Sequence, residues 1–182
     1  MNAPLGELRI RSAEGRDAAL IAAIYNEGIR GRGATFETTE RSAGDVHRWF
    51  VSTGRIARPF LIAERDGEVV GWVRASEYRS RPCYDGVAEF SVYVASSARG
   101  QRVGDALLAR FVEACAASGI WKILSRIFPE NTASRALCAR HGFREVGVYE
   151  RHAQLDGEWR DVVIVERLIP ENQPVNAAYQ AP

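Results

Sequence analysis

The chain has 182 residues, 46% of them apolar and 26% charged, with a formal net charge of +1. That is the length of one domain with a sizeable core and the balance of an ordinary soluble globular protein, and it argues against nucleic acid or a membrane surface as the main partner. Three cysteines, Cys83, Cys115 and Cys138, form no metal spacing and cannot all pair; with no signal-like or membrane-spanning run, the chain reads as cytoplasmic and reducing.

The elements follow in order. "LRIRSA" predicts a first strand. "SAEGRDAALIAAIYNEGIR" predicts a helix that Asp17 or Ser12 caps, with Ala18, Ile21, Ile24 and Tyr25 on one stripe. Residues 31 to 45 read as a polar loop containing Phe36, and "DVHRWFVSTG" as a short helix. "RPFLIAERDGEVVGWVRASEY" reads as two strands joined at Asp66-Gly67, a hairpin signal. "VAEFSVYVAS" is a strand. "RVGDALLARFVEACAASG" is a helix with Val103, Leu107, Phe111 and Ala114 along one face and Gly119 as its stop. "IWKILSRIF" is a strand, and "NTASRALCARHG" is a helix capped by Asn131 or Thr132 and ended by Gly142. Two more strands follow, joined at Asp156-Gly157. Antiparallel hairpins with one strand-helix-strand crossover predict an α/β fold on a mixed sheet. Residues 1–170 read as a single domain and 171–182, with its prolines, as a frayed tail.

"SSARGQRVGDALL", residues 96 to 108, holds the sharpest local signal. A strand runs into a tight turn and then a helix start, where unpaired N–H groups and the positive end of the dipole attract anions. Arg99 and Arg102 sit at that positive end, where a cation costs roughly 0.3–1 kcal/mol. They make sense if an anion lies between them. Gly100 and Gly104 permit close approach. A plain turn with exposed arginines explains the stretch equally well at this level. The pattern lacks the Lys-Ser/Thr of a P-loop and the glycine spacing of a dinucleotide fingerprint.

The same stretch resembles the signature of the GNAT superfamily of N-acetyltransferases, Arg/Gln-x-x-Gly-x-Gly/Ala, with Arg99, Arg102 and Gly104 at the matching positions and the central glycine replaced by Arg102. "IYNEGI", "ATFET", "EFSVYV", "ENTASRALCARHGF" and "GEWRD" match in order over nearly the whole chain, and resemble the phosphinothricin and methionine sulfoximine/sulfone acetyltransferases in particular. The resemblance implies a GNAT fold, a mixed, mostly antiparallel sheet splayed around acetyl-CoA and flanked by helices on both faces. It implies acetyl-CoA as cosubstrate with no metal, a small-molecule amine as acceptor, and a homodimer.

For the cofactor, the resemblance implies pantetheine pairing with the backbone of Val92, Tyr93 and Val94. Phosphates would rest on the loop of Arg99, Gly100, Gln101, Arg102, Val103 and Gly104, with Asn131 and Ser134 at the next helix start. The Arg102 guanidinium would turn toward a phosphate or crowd it. For catalysis it implies Glu89 as general base, its pKa raised by partial burial near Phe90 and Val92, and a backbone N–H near Val92 for the oxyanion. Cys138 stands where relatives place a proton donor; it is either that donor or an inert buried thiol, and His141 reads as structural. Phe36, Arg79, Arg81 and Tyr84, with Glu89, are the implied substrate-facing residues, the arginines suiting an acceptor's carboxylate. Trp159 reads as pocket wall or dimer contact and Asp161 as structural. Acetylation of a peptide, protein or polyamine amine, and a non-catalytic acyl-CoA-binding module, are the competing functions.

Overall fold

The computed structural model describes residues 6–51 and 56–173. Seven strands form one open sheet: β1 (Leu8–Ser12), β2 (Phe60–Arg65), β3 (Glu68–Glu77), β4 (Val87–Val94), β5 (Lys122–Ile127), β6 (Arg144–Leu155) and β7 (Glu158–Leu168), in the spatial order β1-β2-β3-β4-β5-β7-β6. Every neighbouring pair is antiparallel except β4 and β5. That parallel pair is joined by the helix α3 (Val103–Ala117), the predicted crossover. The two-residue turns Asp66-Gly67 and Asp156-Gly157 hold both residues at positive φ (52° and 82°, 50° and 84°), the turn geometry that matches strand twist.

Each face of the sheet buries its own apolar layer. On one face Val103, Leu107, Leu108, Phe111 and Cys115 of α3 pack with Phe90, Ile123 and Val163. Cys115 rather than Ala114 completes the buried stripe of α3. Cys138 of α4 (Thr132–Arg140) joins the same layer. On the other face Ala18, Ile21 and Ile24 of α1 (Ala18–Arg30) pack on Ile62 and Trp72, with Val46 of α2 (Ala43–His47) closing the edge. A fully buried side chain of this size contributes about 1.5–3 kcal/mol.

Several local expectations are corrected. α2 starts earlier than expected because the Ser42 side chain accepts from the Asp45 N–H, and it tightens into a 3₁₀ turn at Arg48–Phe50. Residues 52–55 of the expected helix lie outside the described residues. Asp17 is the N-cap residue of α1, but its side chain makes no capping bond to that helix. Asp17 instead accepts the Glu14 N–H at 2.8 Å and two Arg11 bonds at 2.8 and 2.9 Å, tying β1 to the start of α1. Asn131 is the cap of α4, accepting from the Ser134 N–H at 3.1 Å. Of the tail expected from 171, Asn172 is held by its bonds to the Ala116 and Ile120 carbonyls at 2.7 and 2.9 Å, and 174–182 lies outside the described residues. Asp161 accepts the Arg151 N–H at 2.7 Å inside an irregularity of β6, a structural role. Val146, Val148, Tyr149 and Trp159 stand exposed on the last hairpin.

Asp17 is almost fully buried, and its hydrogen bond from Arg11 holds the carboxyl below the usual carboxylate range. A folded-state value below the unfolded one stabilises the fold fully above about pH 4, and that contribution is lost as pH falls. Asp17→Asn is expected to cost about 2–3 kcal/mol at pH 7. In urea melts the deficit should shrink as pH falls below about 4; an equal deficit at pH 3 and pH 7 would remove the ion pair from the account.

Candidate active site

Pairing between β4 and β5 covers only Val87 with Lys122, Ala88 with Ile123 and Glu89 with Leu124. One further link follows, the Ser125 hydroxyl donating to the Phe90 carbonyl at 2.9 Å. Beyond it the strands part. Strand alternation then fixes which backbone groups face the gap. The Glu89 carbonyl accepts from Ser76 of β3 at 3.2 Å, whereas the Phe90 carbonyl faces β5 and the Val94 carbonyl accepts from Arg99 Nε at 3.2 Å. Val92 lies between Phe90 and Val94 in this alternation, so its N–H and C=O point into the opening.

That opening leads into a cavity of about 630 Å³. Its walls are Val92 and Val94 of β4, residues 98–100 and 102–104 of the turn, Gly28 of α1 with its cap Gly31, and Ser134 and Leu137 of α4 with its cap Asn131. Gly28 is needed for the α1 wall: a Cβ there would lie 2.6 Å from the Tyr93 ring. Tyr93 differs from its neighbours. Its backbone faces β3, and its buried ring stacks on Trp72 at 4.9 Å, with the hydroxyl donating to the Ala34 carbonyl at 2.9 Å. The expected backbone pairing therefore falls to Val92 and Val94, and Tyr93 reaches the cavity as a ring.

The turn before α3 answers how an arginine replaces a glycine. Arg102 is the N-cap of α3 at φ 61°, ψ 14°, the left-handed region, as is Gly100 at φ 74°. A non-glycine residue there costs about 1–2 kcal/mol. In return the chain turns sharply, and the first helical amide with a helical acceptor is that of Ala106, bonded to the Arg102 carbonyl. The amides of Val103, Gly104 and Asp105 remain as donors at the positive end of the helix. The Arg102 side chain is exposed at the cavity rim and has no ion-pair partner among the described residues. Gln101 does not line the cavity; its side chain bonds Arg65 and the Ser97 carbonyl and so braces the turn. The Arg99 amide is spent on the Ser96 carbonyl, and its guanidinium on the Val94 carbonyl. Asp105, an acid beside this donor set, is ion-paired with Arg140 at 3.0 Å and lies within hydrogen-bond distance of the His141 ring at 3.3 Å, and the Arg140 bond holds its carboxyl below the usual range. His141 is thus a structural tie between α4 and α3.

Glu89 sits where the strands part. Its carboxylate is not left among apolar neighbours as the sequence led one to expect: Arg126 of β5 donates to it from Nε at 2.9 Å and from Nη2 to both oxygens. Arg126 was not found from sequence, because "ILSRIF" gives no sign of lying beside "EFSVYV". Cys138 lines the floor of the opening together with Ser125 and Phe128. It is 2% exposed, and burial pushes its thiol up to about 12. Desolvation removes the ordinary thiol acidity expected for a proton donor, which favours the inert buried thiol of the two alternatives.

The substrate-facing set is not assembled as expected. Arg79 is exposed and stacks over Tyr78 and Tyr84 at 5.3 and 6.0 Å, and Arg81 is exposed beside them. Phe36 packs edge-on against Phe128 at 4.8 Å, backing the opening rather than lining it. Instead a second cavity, of about 300 Å³, lies on the face of the sheet that carries Glu89. Tyr25, Trp49, Trp72, Arg41, Arg74, Ser76 and Ser91 are among its walls.

A model of the Acetyltransferase (GNAT) family matches residues 14–143. A phosphinothricin N-acetyltransferase of Alcaligenes faecalis is 34% identical over 170 residues, spanning 92% of this chain and 83% of the relative. An L-methionine sulfoximine/L-methionine sulfone acetyltransferase of Pseudomonas aeruginosa is 31% identical over 158 residues, 86% of this chain and 92% of the relative. The crystal structure of a phosphinothricin acetyltransferase from Sinorhizobium meliloti in complex with AcCoA superposes with a TM-score of 0.82 at 29% identity, covering 89% of this chain and 88% of that one.

Arg102→Gly separates strain from binding. Release of the left-handed arginine is expected to raise stability by about 0.5–1 kcal/mol. Loss of a free guanidinium at the rim is expected to weaken CoA about tenfold by calorimetry. Unchanged CoA affinity would mean that Arg102 points away from the phosphates.

Proposed function

Because the chain belongs to the GNAT family and is an acetyl-CoA-dependent N-acetyltransferase, we propose that it acetylates the α-amine of a small amino-acid-like acceptor of the phosphinothricin, methionine sulfoximine or methionine sulfone type. The observation that carries this reading is the unpaired Val92 backbone in the opening immediately after Glu89, with a 300 Å³ cavity on the Glu89 face. That volume is at the small end of ligand cavities and suits an amino acid better than a peptide or a polyamine.

Acetyl-CoA supplies a thioester carbonyl for attack by an amine. The residues present fit its parts. The cavity between β4 and α4 takes an extended arm, with Val92 free to accept and donate on its open edge and Val94 beside it. The α3 amides and Arg102 are a donor set for phosphate, and Asn131 Nδ2 and Ser134 flank it at the start of α4. The Val92 N–H is the donor placed to meet charge on the carbonyl oxygen.

Glu89 takes the amine's proton, directly or through water. A carboxylate offers about four lone-pair sites, and the three Arg126 bonds leave about one on Glu89 to accept another proton. Arg126 also fixes the rotamer of the base, so that its position does not depend on the acceptor. With Cys138 inert, the leaving thiolate takes its proton from the amine by way of Glu89 or from water. No nucleophile arrangement lies in the opening, which favours direct attack with both substrates bound.

Steady-state assays with acetyl-CoA and each of the three acceptors test the reading. Turnover with at least one is expected, and Glu89→Gln is expected to lower kcat about 10²- to 10⁴-fold with CoA affinity unchanged. Turnover of peptide or polyamine amines with none of the three would overturn it.

A further inference from the structure

The 300 Å³ cavity contains a cation that the function just proposed has not used. Arg41 and Arg48 on its wall are each paired, with Glu37 and Asp45. Arg74 is not. Its guanidinium lies over the Trp49 and Phe60 rings at 5.4 and 5.9 Å, and its hydrogen bond is a long one, from Nη2 to the Trp49 carbonyl at 3.3 Å. Among the described residues it has no carboxylate partner. Burial alone pulls the guanidinium down from its usual value, with no neighbouring acid to raise it. A guanidinium has five N–H donors in a planar fork, and holding it desolvated without an anion is expensive.

Its place on the sheet gives this a direction. Arg74 of β3 stands directly opposite Ser91 of β4, and Ser76 directly opposite Glu89. Arg74 and Glu89 are therefore diagonal neighbours on one face, their Cβ atoms roughly 7–8 Å apart. Ser76 and Ser91, the residues between them, are on the cavity wall. The Glu89 carboxylate is held on the β5 side by Arg126 and the Arg74 guanidinium lies over Trp49 and over Phe60 of β2, so a ligand that reaches both spans the stretch of wall carrying Ser76 and Ser91.

We propose that Arg74 binds the α-carboxylate of the acceptor and so selects free amino acids over their uncharged analogues. The inference rests on the acetyl transfer proposed above, and it moves the anion-reading role from the exposed Arg79 and Arg81 to a half-buried residue on the sheet. A carboxylate entering this cavity meets a half-buried fork already held over the Trp49 and Phe60 rings, so less side-chain entropy is lost in forming a bidentate pair than with a free arginine.

The test compares methionine sulfone with methionine sulfone carboxamide, which keeps the amine and removes the negative charge. Wild-type enzyme should prefer the acid. In Arg74→Gln, KM for the acid should rise about tenfold or more while KM for the amide stays within about twofold, with kcat changing little for either. Arg74→Lys, which keeps the charge and loses the fork, should fall between. Because each variant is judged on the ratio of its two substrates, a partly misfolded preparation does not imitate the result. Acid and amide affected equally, or neither affected, overturns the proposal. Binding is also read without turnover, since Trp49 and Trp72 line the cavity and their fluorescence reports acceptor binding to the CoA complex. Arg74-dependent binding of the acid with no turnover would overturn the proposed reaction and support the subsite; acid binding that Arg74→Gln leaves unchanged would overturn the subsite.

Discussion

Everything the site does depends on β4 and β5 being paired for three residues and then not paired. Parallel neighbours normally continue their ladder, and an unpaired backbone group away from water carries a penalty of about 1–3 kcal/mol. Here the ladder ends at Glu89 and Leu124. The Ser125 hydroxyl satisfies the next carbonyl and Arg99 satisfies that of Val94, so that Val92 alone between them is left facing the gap. The fold thus keeps one residue's donor and acceptor in reserve, next to a carboxylate and at the carboxyl ends of two parallel strands. A cosubstrate that adds itself as a short strand recovers the missing pairing.

The second constraint is the tightness of the turn that follows. The chain must reverse from β4 into α3 within a few residues and still aim free amides at the cavity. Two left-handed residues, Gly100 and Arg102, accomplish this. Gly100 adopts that conformation without penalty, whereas Arg102 does so under strain and brings a cation to a helix end that already favours anions. The same economy appears at Glu89 and Asp105. Glu89 and Asp105 are each engaged by an arginine from a neighbouring element, Arg126 and Arg140, so neither stands as a bare carboxylate.

Much of the fold was legible in the sequence because its signals are local. Asp-Gly pairs at two turns, helix stops at Gly119 and Gly142, and period-two alternation in "VAEFSVYV" are each decided within a few residues. The tight turn into α3 was legible for the same reason, although its left-handed Arg102 was not, since no sequence rule places an arginine at positive φ. What the sequence hid was lateral. Arg126 meets Glu89 only because β5 lies beside β4, and Arg74 meets Ser91 only because of the β3–β4 register. Both are one-letter facts inside ordinary strands until the sheet is assembled. The exposed loop of Arg79 and Arg81 attracted the substrate role because it precedes Glu89 in the chain, whereas the cavity is walled by residues adjacent in the sheet. Cys138 shows the converse: its position matched a proton donor, and only the assembled fold shows how fully its thiol is buried.

The splay and its reserved backbone are tested most directly by amide hydrogen exchange at Val92 and Tyr93, followed residue by residue with and without CoA. In the free protein the Val92 amide should exchange rapidly and that of Tyr93, which faces β3, slowly. On binding CoA, protection should appear at Val92 with little change at Tyr93. A Val92 amide as protected as that of Tyr93 before CoA is added, or one that CoA leaves unprotected, would contradict the account.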